Sequence, residues 1–134
     1  MGCEHAQAAG GQTAPSQFEE NTLSEVKRVI AVLSGKGGVG KSFVTGAIAT
    51  ELARHGHKVG VLDADITGPS IPKMFGMSGR HVHALGNLML PEISEHGVKV
   101  MSSNLLIQNE TDPVLWRGPV IAGAISQFWS ETSW

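Results

Sequence analysis

Val29-Ile30-Ala31-Val32-Leu33 is an unbroken apolar run with no polar alternation, the pattern of a strand covered on both faces in a parallel sheet. A glycine-rich turn follows at once. From Ser42 to His55 the apolar residues Val44, Ala47, Ile48, Leu52 and Ala53 recur at helical spacing, and Gly56 supplies a stop. Val59-Gly60-Val61-Leu62 reads as the next buried strand. Strand, glycine loop, helix and strand make a βαβ unit, and its handedness places the second strand parallel to the first.

Gly68-Pro69 and Pro72 punctuate the chain after that strand, so a short helix is expected over Ser70 to Phe75. Met77 to Pro91 supports no single assignment. Val98 to Ser102 predicts another strand, entered through a His96-Gly97 turn. Pro119 suits the start of a helix whose Val120, Ile121, Ala124, Ile125, Phe128 and Trp129 recur at intervals of three and four. No strand follows to receive that helix before Trp134, so the pattern reads as an incomplete, doubly wound α/β sheet.

Gly2 to about Glu25 offers small and polar residues with few large apolar groups, too little burial to offset the entropy of ordering. Residues 1–25 are therefore expected to be a mobile leader, and 26–134 the packed domain. Of the 134 residues, 41% are apolar, compatible with one hydrophobic core. Ten Lys/Arg against twelve Asp/Glu, with neither sign massed, argues against nucleic-acid binding. No apolar stretch approaches the roughly 20 residues that span a bilayer, so no membrane partner is expected. Cys3 is the only cysteine, which excludes an intrachain disulfide or a CxxC pair and suits a reducing cytoplasm.

The chemistry concentrates in Gly35-Lys36-Gly37-Gly38-Val39-Gly40-Lys41-Ser42, a complete G-x-x-x-x-G-K-[ST] phosphate-binding loop set between the expected strand and helix. Its glycines let successive backbone N–H groups turn around phosphate oxygens, and the helix amino end adds a favourable dipole. Lys41 is expected to reach the β- and γ-phosphates of ATP, and Ser42 to place its hydroxyl on Mg²⁺. Lys36 either faces solvent or neutralises phosphate charge during transfer.

Asp63 and Asp65 follow Val61-Leu62 at the carboxyl end of the second strand, where open α/β sheets gather ligand-binding residues. If the strand persists, their spacing points both carboxylates to one side. One reading makes Asp63 a support for Mg²⁺ through water and Asp65 the residue that positions the attacking water; the other makes both caps for local N–H groups. Gly68-Pro69-Ser70 reads either as a nucleotide-sensitive turn or as a plain entry to the helix.

The two-lysine loop resembles the deviant Walker A motif of the MinD/ParA/nitrogenase-iron-protein class of P-loop NTPases. Leu62-Asp63-Ala64-Asp65-Ile66-Thr67-Gly68-Pro69-Ser70-Ile71-Pro72 and Trp116-Arg117-Gly118-Pro119 narrow the resemblance to the Mrp/ApbC group of iron–sulfur cluster carrier ATPases. It implies a three-layer P-loop fold with a mostly parallel sheet, a nucleotide-sandwiched homodimer across which Lys36 reaches, and Asp65 as the first-switch residue that positions water. It also implies slow hydrolysis of ATP and delivery of a [4Fe-4S] cluster to recipient apoproteins. The resemblance covers about Val29 to Trp129, the first half of a family domain. The family's aspartate-proline-proline-glycine segment and its cluster-binding CxxC are not among these residues, so the cluster's cysteines are expected only from a longer protein; one thiol cannot supply them.

Two other functions share the loop: a MinD/ParA-type positioning ATPase, which needs a membrane-targeting tail or a basic DNA-binding face, and a truncated nucleotide-binding module without turnover. His5, His55, His57, His81, His83 and His96 do not repeat a zinc spacing and are expected on surfaces and turns, with His55 at a helix end. Trp116 and Arg117 could stack or pin the helix beginning at Gly118, and packing is expected of them rather than direct chemistry.

Overall fold

A computed structural model describes residues 21–66, 68–106 and 118–134. In chain order the elements are α1 (Lys41–Arg54), β1 (Gly60–Asp63), α2 (Ile71–Met74), β2 (His83–Leu85), β3 (Leu88–Leu90), β4 (Glu92–Ile93), β5 (Lys99–Ser102), a 3-10 turn (Ser103–Leu105) and α3 (Gly118–Glu131).

β1 and β5 pair in parallel, Gly60 opposite Lys99 through Asp63 opposite Ser102, and β4 closes the other side of β5 in antiparallel register. The period of two along these strands sorts their side chains to opposite faces. Val61, Val98 and Val100 join Ala49 of α1, Ile71 of α2, Met77 and Leu105 in one cluster. Met101 joins Ile66, Met89, Ala124 and Phe128 in another, with Leu62 packed against it. Helices α1 and α2 thus cover one face and α3 the other, the three-layer α/β arrangement expected of a P-loop fold.

The last helix buries Ala124 and Phe128 of its expected apolar stripe and half-buries Ile125 and Trp129, while the side chains of Val120 and Ile121 lie outside the described residues. The short helix expected over Ser70 to Phe75 is α2, with Pro72 near its start. Met77 to Pro91 contains a β2–β3 hairpin whose Leu85 pairs with Leu88 around Gly86-Asn87, with Gly86 at φ 62°. A two-residue Gly-Asn loop is a hairpin signal, so the sequence did carry this element.

Val29 to Leu33 differs from expectation: the run forms no strand, and Leu33 is 80% exposed. A strand is stable only with a hydrogen-bonding neighbour, and none of the described strands lies beside this run. The parallel neighbour of β1 is β5 rather than residues 29–33. Helix α1 keeps only part of its expected face inward, with Ala53 packed against the core. Gly46 and Ala49 are its buried residues, whereas Val44 and Ile48 of the expected stripe are exposed. The small Gly46 allows close approach to α2, where an added Cβ would run into Met74 Sδ.

Residues 1–20 of the expected leader, with Cys3 and His5, lie outside the described residues, as do Thr67, Trp116 and Arg117. At the leader's end, Asn21 Nδ2 donates to Thr132 O at 2.7 Å and Ser24 Oγ donates to the same oxygen at 3.1 Å. The Trp134 amide donates back to Ser24 Oγ at 3.0 Å.

Candidate functional site: a phosphate loop joined to the end of β1

The glycine loop departs from ordinary backbone where its sequence allows. Gly38 and Gly40 adopt φ of 72° and 99°, a region that side chains with a Cβ rarely enter. Gly35 and Gly37 have negative φ, and a Cβ added to either meets nothing within 4 Å. Contacts within the described protein therefore do not require glycine at these two positions. Ser34 Oγ donates to Lys36 O at 2.7 Å and pins the start of the loop.

Gly40 is the N-cap of α1, and Lys41 is its first residue. Helix amino ends usually carry a Ser, Thr, Asp or Asn cap and an acidic first turn, which satisfy the free N–H groups and the dipole. Here there is no side-chain cap and no acid in the first turn. A lysine stands there instead, so the electrostatics of this end favour an anion from outside the chain.

Asp63 ends β1 and is buried, with 6% of its surface exposed. Its Oδ1 accepts the Asp65 N–H at 3.1 Å, and its Oδ2 accepts the N–H groups of Ser70 and Ile71, each at 3.1 Å. Burial pushes the Asp63 carboxyl above its ordinary value and outweighs the three amides, which pull it down; nearby Asp65 adds a small upward push. Asp65 lies beyond the strand, so the two carboxylates do not share one strand face. It is exposed, and its Oδ1 accepts the Gly68 N–H at 3.1 Å, closing a local turn.

The two segments meet through their hydroxyls: Ser42 Oγ and Ser70 Oγ are 2.6 Å apart. Since the Ser70 amide is held by Asp63, the loop, α2 and the end of β1 form a continuous polar connection. Asp63, Ser42 and the 68–70 turn are thereby brought together. Lys36 and Val39 are exposed on the loop, and Lys41 is half-buried at the helix start. Sequence reasoning placed Ser70 only in the Gly68-Pro69-Ser70 turn and missed its pairing with Ser42, because the two serines are 28 positions apart.

The donor set suits a hard cation beside a phosphate: Ser42 offers a hydroxyl and Asp63 a carboxylate, both oxygen ligands. Among the described residues, no group of three or more His, Cys, Asp and Glu is arranged to hold a metal. His55 ends α1, and its Nδ1 is 2.9 Å from Glu51 O, a contact with a terminal helix carbonyl. No described helix is long and apolar enough to cross a membrane.

The sequence profile of the ParA family of NUBPL iron-transfer P-loop NTPases matches residues 25–134. An iron-sulfur cluster carrier protein of Clostridium perfringens is 45% identical, over 98% of this chain and 49% of its own length. A cytosolic Fe-S cluster assembly factor Nubp2 homolog of Drosophila grimshawi is 46% identical over 84% of this chain and 43% of its own. Among solved structures, a nucleotide-binding protein of Archaeoglobus fulgidus in complex with ADP aligns with a TM-score of 0.64 and 41% identity, covering 77% of this chain and 38% of that one. The chain spans about half the length, or less, of the relatives it matches. It belongs to the NUBPL-type iron-transfer P-loop NTPases, the Mrp/ApbC group of iron–sulfur cluster carriers.

Proposed function

We propose that this chain forms the nucleotide-binding part of an ATP-hydrolysing iron–sulfur cluster carrier. The observation that carries the reading is the uncapped amino end of α1, with Gly40 at φ 99° and Lys41 at its first position, inside a complete phosphate loop. The family match and the ADP complex of the related Archaeoglobus protein support it.

The loop amides of residues 35–42 and the Lys41 ammonium group bind and orient the triphosphate of ATP. Mg²⁺, held by Ser42 with Asp63 supporting it through water, would neutralise charge on the phosphates. Asp63 already accepts three amides, so an indirect role suits it better than direct ligation. Asp65, exposed at the rim, positions water for attack on the γ-phosphate. Lys36, exposed on the loop, acts across a homodimer on the partner's nucleotide.

The [4Fe-4S] cluster is cargo, ligated by cysteines of the longer protein and delivered to recipient apoproteins in the cytoplasm. Coupling between nucleotide and cargo requires that ATP and ADP favour different arrangements of the dimer. Calorimetric titration with Mg-ATP, phosphate release and cluster transfer to an apoprotein, all measured on the full-length protein, test the reading. Absence of nucleotide binding by folded protein would refute it.

A further inference from the structure

We propose that Ser70 is a positioning residue for Ser42: Ser70 Oγ accepts the Ser42 hydroxyl proton and keeps the Ser42 lone pairs turned toward the magnesium ion that accompanies nucleotide. The inference rests on the phosphate-loop function proposed above and assigns a residue outside that motif.

Three features of the site lead to it. The oxygens are 2.6 Å apart, at the short end of the range for hydroxyl hydrogen bonds. Ser70 also occupies the N-cap of α2, where a serine side chain ordinarily accepts a helix N–H, yet it makes no such bond. Asp63 Oδ2 takes the Ser70 and Ile71 amides instead, leaving the Ser70 hydroxyl available for a different partner.

Thr45 provides the third feature. Its hydroxyl donates to Lys41 O at 2.9 Å, the usual local bond of a helical hydroxyl. Ser42, one turn earlier on the same helix, pairs across to Ser70. A hydroxyl that ligates a cation through a lone pair must send its proton to an acceptor on another side, and Ser70 Oγ is in place to take it. Asp63 fixes that acceptor by holding the Ser70 amide at 3.1 Å.

The test is a Mg²⁺ titration of fluorescent N-methylanthraniloyl-ADP binding to the full chain, with parallel measurements in EDTA and thermal melting. Ser70→Ala is expected to raise the Mg²⁺ concentration at half-effect by about tenfold, as loss of an outer-shell partner does. Nucleotide affinity in EDTA and the melting temperature stay near the parent values, because Asp63 performs the capping. Ser70→Thr, which keeps the hydroxyl, retains the parent midpoint. Ser70→Gly answers the same question if the alanine variant fails to fold.

An unchanged midpoint in the variants lacking the hydroxyl overturns the proposal, and a lowered midpoint does so by showing that Ser70 competes with the ion for Ser42. If the folded parent takes up no nucleotide in either buffer, the phosphate-loop reading itself fails.

Discussion

Asp63 holds Ser70 by its backbone: Oδ2 accepts the Ser70 amide at 3.1 Å while the hydroxyl of the same serine meets Ser42. One carboxylate therefore serves as the cap of α2 and as the anchor of the turn against the phosphate loop. Replacing Asp63 with alanine removes the acceptor for three amides and is expected to cost about 3 kcal/mol, measured by urea unfolding.

The same carboxylate gives a pH signature. Its folded-state pKa lies above the ordinary 3.8, so the neutral form is favoured by folding. The corresponding stability is fully present below the unfolded pKa and is lost as pH rises through the folded one. The stability of the parent relative to Asp63→Asn should therefore be greatest at the acid end, decline through the carboxylate range and level off above it. A difference that grows with pH would contradict the burial argument.

Two loop glycines separate folding from binding. Gly40→Ala forces a Cβ onto backbone at φ 99° and is expected to lower stability by about 1–2 kcal/mol. Gly37→Ala meets no protein atom within 4 Å and should melt like the parent, yet bind nucleotide more weakly because amide approach to phosphate is hindered. Melting curves and nucleotide titrations of both variants check this pair.

The lysines are expected to divide the work. Lys41→Ala should weaken nucleotide binding, whereas Lys36→Ala in the full-length protein should lower turnover about a hundredfold with a smaller effect on binding. Equal losses of binding in the two variants would contradict the separate roles.

The apolar run before the loop makes a fifth test. Ile30 and Leu33 are exposed, so Ile30→Lys should leave the melting temperature of this chain unchanged while raising its solubility. A large destabilisation would place Ile30 in a packed environment instead.

What could be read from the sequence was what depends on neighbours along the chain. The phosphate loop, the α3 stripe through Ala124 and Phe128, and the stop at Gly56 all rest on local geometry. The strand assigned to residues 29–33 did not form, because pairing depends on a distant neighbour that hydropathy does not specify. The inward face of α1 was partly misread for a related reason: close packing selected Gly46 and Ala49 over the larger Val44 and Ile48. Asp63 had two readings, and its three amide contacts belong to the capping one. The meeting of Ser42 with Ser70 spans 28 residues and depends on where the intervening strand and loop place the two serines.

Thr132 and Trp134 are bound to Asn21 and Ser24 across separations of 108 to 111 residues. Closing so long a loop is entropically unfavourable, so this seam persists only while the sheet and α3 hold their places. Amide exchange at its two sides should therefore rise together, making the seam a gauge of whether the whole domain is intact.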